Sequence, residues 1–551
     1  MALNIEETKN KENKIATQNN NKLSNTIFDF EDLSADEIVK FDNYTYENYK
    51  VDVETQGLQT TWVKICSYVL NNPNKSEFLN PKNYGELYEE GLAIQDKYSK
   101  KSSGQYFTPE DICSLMSTFL KDECNGKNLC DAGCGTGNLV LSYLTLLPLT
   151  EAKKVIRYGH LYLYDLDKTA MMICWTIIAL TYGIDNAAHI HCEVCDFLDK
   201  NIKLPESAKV IANPPYSKIT EIKENWEISE VISKTKEFYS AFMEKIFEQA
   251  DSCVIITPFS FINGTKFYPL RKKICELGTG CIYSFDNVPG NIFCGSKHGI
   301  FNTNHANSVR AAITVFNKTK NDEGKGFKIS PLIRFRTDER EQVIKVDVLK
   351  NITPDIKQIV DENHKEFSKV FNSLYPLFNA WVTNSKYVLK DFISTKNNGK
   401  YIIDMPNTCR YYTTASSKKL SRGGSIEIKT DIERNFEILY CFINSSFTYW
   451  WWRIYDGAIT YPLGLLMNLP IPLNLMNDED FKFFHEISTE MISQEDSFKI
   501  TKLNAKVVQE NIKFPEKYRK AINQRIIKIL GRDDNEEILD IVHKNNFFGD
   551  K

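Results

Sequence analysis

Four short apolar runs between residues 128 and 258 each end at a residue suited to polar contact or to a sharp turn, and helical stretches separate them. Asn128-Leu129-Cys130 runs into Asp131-Ala132-Gly133, and His160-Leu161-Tyr162-Leu163-Tyr164 into Asp165. Lys209-Val210-Ile211-Ala212 runs into Asn213-Pro214-Pro215, and Cys253-Val254-Ile255-Ile256 into Thr257-Pro258. Strands that alternate with helices predict a doubly wound α/β sheet. Ligands of such sheets bind beyond the carboxyl ends of the strands, which is where these polar and turn residues fall.

The rest of the chain differs in character, and its 551 residues predict several domains. Residues 1–25 are rich in Asn, Lys, Glu and Gln and are expected to form a flexible tail. Residues 26–100 repeat apolar side chains at helical spacing, as in Trp62, Ile65, Cys66, Val69 and Leu70, and predict a helical amino-terminal domain. The sheet is assigned to 101–320, an α+β domain to 321–480, and a helical segment to 481–551 with 505–529 amphipathic.

Composition limits the function classes. With 42% hydrophobic and 25% charged residues the chain can form cores and is neither fibrous nor disordered. Its longest apolar run, 171–182, falls short of the roughly 20 residues a bilayer requires and predicts a buried helix, so no membrane is expected. The start, MALNIEETKN, has no apolar signal core. Fourteen cysteines in a chain this long suggest free thiols and a cytoplasmic location. The net charge, 68 − 72 = −4, leaves a polyanionic partner to be decided by local clustering.

The chemistry-bearing residues come in sequence order. Gly133, Gly135 and Gly137 follow the first strand and allow a tight turn with close backbone approach to a ligand. Their G-x-G-x-G spacing is not the dinucleotide G-x-G-x-x-G, and no Gly-Lys-Ser/Thr marks a P-loop. Asp165 ends the next strand, where a carboxylate can accept both ribose hydroxyls; capping of the following helix by Asp165 or Asp167 is the alternative. Asp196 follows a third short apolar stretch and could accept from an adenine amine. In Asn213-Pro214-Pro215-Tyr216, two prolines fix the backbone and remove two amide donors. The motif offers an amide oxygen, a carbonyl and an aromatic face, which suits a planar amine.

This set, in this order, resembles the class I S-adenosylmethionine-dependent methyltransferases that modify amino groups, whose sheet is doubly wound and Rossmann-like. Gly104-Gln105-Tyr106-Phe107-Thr108-Pro109 is similar to the motif that precedes the glycine turn in bacterial adenine-N6 DNA methyltransferases. Cofactor motifs first, catalytic motif next and a carboxy-terminal region last is the order of the gamma-class enzymes of restriction–modification systems. The resemblance implies S-adenosylmethionine as cofactor. Tyr106, Thr108 and Pro109 would lie beside its methionine end and Asp131 near its ammonium group. Gly133 and Gly135 would allow backbone approach, with Asp165 on the ribose, Asp196 on the adenine amine and Asn213 at the reacting end. Asn213, Pro214, Pro215 and Tyr216 would form the catalytic motif. Asn291-Ile292-Phe293, followed by 309–316, looks like the late motif whose aromatic, here Phe293, stacks with Tyr216 on a flipped base; residues 295–308 are extra to the pattern.

The implied activity is methylation of adenine N6 in double-stranded DNA, with 321–480 as a target-recognition domain. In 386–434, ten Lys/Arg stand against five Asp/Glu. Arg410, Tyr411, Lys418, Lys419 and Arg422 are its candidate DNA contacts, with a solvated loop as the alternative. The adjacent Trp450-Trp451-Trp452 reads as core. No metal is expected: Cys192-Glu-Val-Cys195 has no second such pair to complete a zinc site. Residues 1–100 show no Asp…Glu-x-Lys nuclease motif, which points to methylation without cleavage and leaves room for a separate endonuclease. The alternatives are a modification subunit that needs a specificity partner, methylation of RNA, of protein glutamine or of cytosine N4, and a scaffold that only binds DNA.

Overall fold

In a computed structural model the protein is described for residues 26–72, 76–95, 108–293, 309–362, 364–394, 399–409, 411–504, 507–544 and 547. The chain forms two compact units. The first holds the described residues up to 327 together with 340–347 and 357–365; the second holds 328–339, 348–356 and those from 366 onward.

The first unit is built on seven strands. These are β1 (Asn128–Ala132), β2 (Leu161–Asp165), β3 (His191–Val194), β4 (Ala208–Ala212), β5 (Ser252–Pro258), β6 (Gly278–Phe285) and β7 (Ala311–Lys318). Within an eight-stranded sheet their order is β3-β2-β1-β4-β5-β7-β6. The first five are parallel, and β7 runs antiparallel between β5 and β6. The order reverses between β1 and β4, which opens a crevice at the carboxyl ends of β1, β2 and β4. Side chains of β5 are buried from Ser252 to Thr257, as expected of a strand covered on both faces. The doubly wound sheet of the class I methyltransferase fold is therefore present.

The apolar run at 171–182 is a helix, Lys168–Tyr182, and is buried nearly all round. The sheet covers one side of it. Helix Leu58–Asn71 and Trp175's neighbours Phe28 and Phe30, at 6.0 and 5.6 Å between ring centroids, cover the other. The amino-terminal helices Ala35–Asp42, Tyr46–Gln56, Leu58–Asn71 and Tyr84–Gln95 thus belong to the same compact unit as the sheet. Ser34 with Glu37 and Thr45 with Asn48 form capping boxes that start the first two. Fully buried Trp62 meets the edges of Tyr49, Tyr84 and Tyr88 and organises the group.

The second unit is α+β, and its core is the tryptophan cluster. Trp381 stacks on Trp450 at 5.7 Å, and Trp450, Trp451 and Trp452 are all buried on helix Ser446–Tyr455. Two short ladders flank this helical core. One pairs Tyr401–Pro406 with Ser425–Thr430, and the other pairs Lys499–Asn504 with Val507–Ile512. The second ladder corrects the helical expectation for the start of 505–529. Val508 and Ile512 are β-branched and fit a strand better than a helix. The amphipathic helix runs only over Glu516–Ile529, where Tyr518, Ile522 and Ile526 bury one face.

Candidate active site

Beyond the carboxyl ends of β1, β2 and β4 lies a cavity of about 400 Å³, lined among others by Thr108, Gly133, Gly135, Asp165, Asn213 and Pro214. After β1 the chain turns at Gly133 and Gly135, with φ of +84° and +51°, values that favour glycine. A Cβ at either position would meet nothing within 4 Å, so the turn leaves its backbone open to a ligand. Gly137, with φ +94°, starts helix Asn138–Leu146, and there a Cβ would lie 2.4 Å from Cys174 Sγ.

Two carboxyls define the acidic side. The Gly135 amide donates to Asp165 Oδ2 at 2.7 Å and the Asp167 amide to Oδ1 at 2.8 Å, which fixes Asp165 at the end of β2. Asp167, not Asp165, caps the next helix by accepting from the Thr169 and Ala170 amides. Asp131 is 1% exposed, and no side chain among the described residues hydrogen-bonds its carboxylate. Burial, helped by the Asp165 charge, pushes Asp131 up to about 8, against the Val140 amide. Burial likewise pushes Asp165 up to about 6, opposed by the amides of Asp167 and Gly135.

Asp196 comes from the loop after β3 and is already engaged. Its Oδ2 accepts from Lys223 Nζ at 2.6 Å and Trp226 Nε1 at 2.9 Å, and its Oδ1 accepts from the Leu198 amide at 3.1 Å. It therefore anchors the loop that follows Tyr216. Beneath it, Lys245 Nζ donates to the carbonyls of Phe197 and Asp199 at 2.5 and 2.8 Å.

On the opposite side, Asn213 follows β4 directly, and its Nδ2 donates to Thr108 Oγ1 at 3.0 Å. Pro109 precedes helix Glu110–Glu123 as its cap residue. Pro214 and Pro215 line the cavity, and the Tyr216 ring lies 5.9 Å from the Phe293 ring at 68°, edge to face. Tyr216 and Phe293 are thus brought together although 77 residues separate them, and Tyr216 follows directly on the Asn213-Pro214-Pro215 that lines the cavity. Tyr106 lies outside the described residues.

Some cavity residues carried no signal in the sequence. Tyr88 and Leu92, from helix Tyr84–Gln95, line the cavity, and the Tyr88 hydroxyl donates to Asp167. Their i,i+4 spacing is that of any core helix.

A family model described as N-6 DNA Methylase matches residues 80–375, more than half of the chain and all of this cavity's lining. The chain belongs to the N-6 DNA methylase family. Among curated relatives it is similar to the type II methyltransferase M.VspI of Vibrio sp. (strain 343), 23% identical over 261 residues, 46% of this chain and 60% of that protein. It is also similar to the type II methyltransferase M.PstI of Providencia stuartii, 25% identical over 254 residues, 42% of this chain and 49% of that one. The chain thus spans at most 60% of the length of either. Among solved structures, the ATP-dependent type ISP restriction-modification enzyme LlaBIII bound to DNA overlaps 84% of this chain and 45% of that one, with 12% identity and a TM-score of 0.45.

The N-6 DNA methylase match ends inside the second unit, whose basic loop must be judged on its own. Lys418 and Lys419 are well exposed, in surface pairs with Asp496 at 3.0 Å and Glu427 at 2.5 Å. Tyr411 is exposed and Arg410 lies outside the described residues. Arg422 is a correction. Its side chain is 2% exposed, bound to a fully buried Asp404 at 2.5 Å and to Asn511 Oδ1 at 2.7 Å. A guanidinium buried in this way cannot be offered to a phosphate. No helix among the described residues is long and apolar enough to cross a membrane.

Proposed function

We propose that the protein methylates N6 of adenine in double-stranded DNA, with S-adenosylmethionine as the methyl donor. The observation that carries this reading is that Asn213, Pro214 and Pro215 line the cavity while the next residue, Tyr216, meets the Phe293 ring edge to face. The residues fit the donor. Two carboxyls, Asp131 buried and Asp165 partly so, hold their protons abnormally tightly and would gain from a cationic ligand, and the glycine turn leaves room for one. Asp165 would hold its ribose, Asp131 would sit near its ammonium group, and Thr108 and Pro109 would lie beside its methionine end. Asp196 would reach its adenine with Lys223 attached. Bound there, S-adenosylmethionine supplies a methyl group on a positively charged sulfur.

The chain's own residues then act on the adenine. Its N6 is a weak nucleophile because the lone pair is shared with the ring. The Asn213 Oδ1 and the Pro214 carbonyl would accept the two N6 hydrogens and draw that lone pair back onto nitrogen. The Thr108 bond orients the amide before substrate arrives, so little is lost in ordering it. Adenine inside a duplex cannot reach the cavity and must rotate out. Tyr216 and Phe293 supply the aromatic surfaces on which it would stack. Tyr411, Lys418 and Lys419 of the second unit would contact the DNA. A specificity subunit or a cognate endonuclease would be the partners of such an enzyme.

The test is transfer of labelled methyl groups from S-adenosylmethionine to unmodified double-stranded DNA, to RNA and to protein, in parallel. Label confined to DNA is expected. Label in RNA or protein alone would overturn the reading.

A further inference from the structure

Phe293 is the residue of the site whose position needs most explanation, because it sits in a connection between strands and not at a strand end. One side chain far along the sequence holds that connection. Arg340, 4% exposed, donates from Nη1 to the Asn291 carbonyl at 2.8 Å and from Nη2 to the Ile292 carbonyl at 2.7 Å. These are the two carbonyls immediately before Phe293. The same guanidinium grips Asp111, with Nε to Oδ2 at 2.5 Å and Nη2 to Oδ1 at 3.0 Å. Asp111 lies in the first turn of helix Glu110–Glu123, three residues after the Thr108 that orients Asn213. Two further contacts stiffen the connection. Asn291 Oδ1 accepts from the Phe293 amide at 2.8 Å, and Asp286 pairs with Arg310 at 2.8 Å across its root.

We propose that Arg340 is a positioning residue for the stacking of the target adenine, fixing Phe293 relative to Asn213 and Tyr216 through these four hydrogen bonds. The proposal rests on the methyltransferase reading. Its chemical basis is the planar guanidinium, whose fork of five N–H donors can satisfy a carboxylate and two carbonyls at once. A lysine has a single charged nitrogen and cannot reach both sides. With the fork removed, the Asn291 and Ile292 carbonyls lose these two bonds to the guanidinium, and the tie from Asp111 to the Phe293 connection is cut.

The experiment compares the full-length protein with its Arg340→Met variant on unmodified DNA. The expected result is a fall in kcat of about 10- to 100-fold, as for a misplaced contact in a reacting complex, with S-adenosylmethionine affinity by calorimetry within about twofold. Arg340→Lys should fail to restore turnover. Adding Phe293→Leu to Arg340→Met should cost less than about threefold more, because both changes remove the same stacking. With 2-aminopurine at the mapped target position, Arg340→Met should leave the flipped base brighter than the parent protein does. The proposal is overturned if Arg340→Met keeps its kcat, if the two losses multiply, or if cofactor affinity falls in step with turnover. Should Arg340→Met not fold, Asp111→Asn, at a partly exposed carboxylate, is expected to lower kcat several-fold with cofactor affinity unchanged, and an unchanged kcat overturns the proposal. Absence of methyl transfer to DNA by the parent protein would refute the methyltransferase reading itself, and this proposal with it.

Discussion

The side-chain amide of Asn213 donates to the hydroxyl oxygen of Thr108 across 3.0 Å, joining residues 105 positions apart in the chain. Each belongs to a segment that the sequence marks separately: Gly104 to Pro109 before the sheet, and Asn-Pro-Pro-Tyr after its fourth strand. Their contact explains how the amide can be oriented before any substrate is present.

That contact gives the first prediction. Asn213→Ala should lower methyl transfer by about 10²- to 10³-fold, as for loss of a preorganised dipole at a reacting atom, while leaving S-adenosylmethionine affinity nearly intact. Thr108→Val, which removes only the acceptor for Nδ2, should cost about tenfold, the worth of one hydrogen bond. Single-turnover kinetics alongside calorimetry separates the two effects.

Asp165 is predicted to act on cofactor binding. Its carboxylate is held by the Gly135 amide, so Asp165→Ala removes both the ribose acceptor and the turn's anchor. The dissociation constant for S-adenosylmethionine should rise by about 10- to 100-fold, the range for a hydrogen bond to a charged group. An unchanged constant by calorimetry would show that the cofactor's ribose lies elsewhere.

The two raised carboxyls set a pH dependence. Asp131 near 8 and Asp165 near 6, against an ordinary 3.8, hold their protons more tightly folded than unfolded. Their contribution to stability is therefore complete below about 3.8 and is lost as pH rises through about 6 and then about 8. The melting temperature of the protein without cofactor should fall between pH 5 and 8.5, other groups equal, and Asp131→Asn should flatten the upper part of that fall. A cationic ligand favours the ionised carboxyls, so stabilisation by S-adenosylmethionine should grow over the same range.

In the second unit, Arg422 and its neighbours should part company. Arg422→Ala strands the fully buried Asp404 carboxylate and should destabilise that unit by about 3–5 kcal/mol. Lys418→Ala and Lys419→Ala sit in exposed pairs and should leave the melting temperature unchanged. If they touch phosphate, each should weaken DNA binding and reduce the slope of log affinity against log salt by about one.

What could be read from the sequence was local. Asp131, Gly133, Gly135, Asp165 and Asn213 each sit within a few residues of an apolar run, so their positions at strand ends follow from the run. The Phe293 assignment came from family resemblance, and the geometry brings it beside Tyr216. What could not be read depends on pairing across the chain. Arg422 looks like any basic loop residue until Asp404 and Asn511 are seen around it. Tyr88 has the same spacing as its core neighbour Tyr84, and only the fold puts it against Asp167. Arg340 lies on a one-turn helix with no motif, and its partners are 229 and about 50 residues away. The pairing of Lys499–Asn504 with Val507–Ile512 is not legible because Leu503 and Val508 are apolar yet exposed, which makes the pattern ambiguous between strand and helix.

The most direct measurement incubates the protein and its Asn213→Ala variant with labelled S-adenosylmethionine and unmodified double-stranded DNA, then digests the DNA to nucleosides for chromatography. Adenine-N6 methylation through Asn213 predicts label in N6-methyl-2′-deoxyadenosine from the parent protein and essentially none from the variant. Label in N4-methylcytosine, or equal label from the variant, would contradict it.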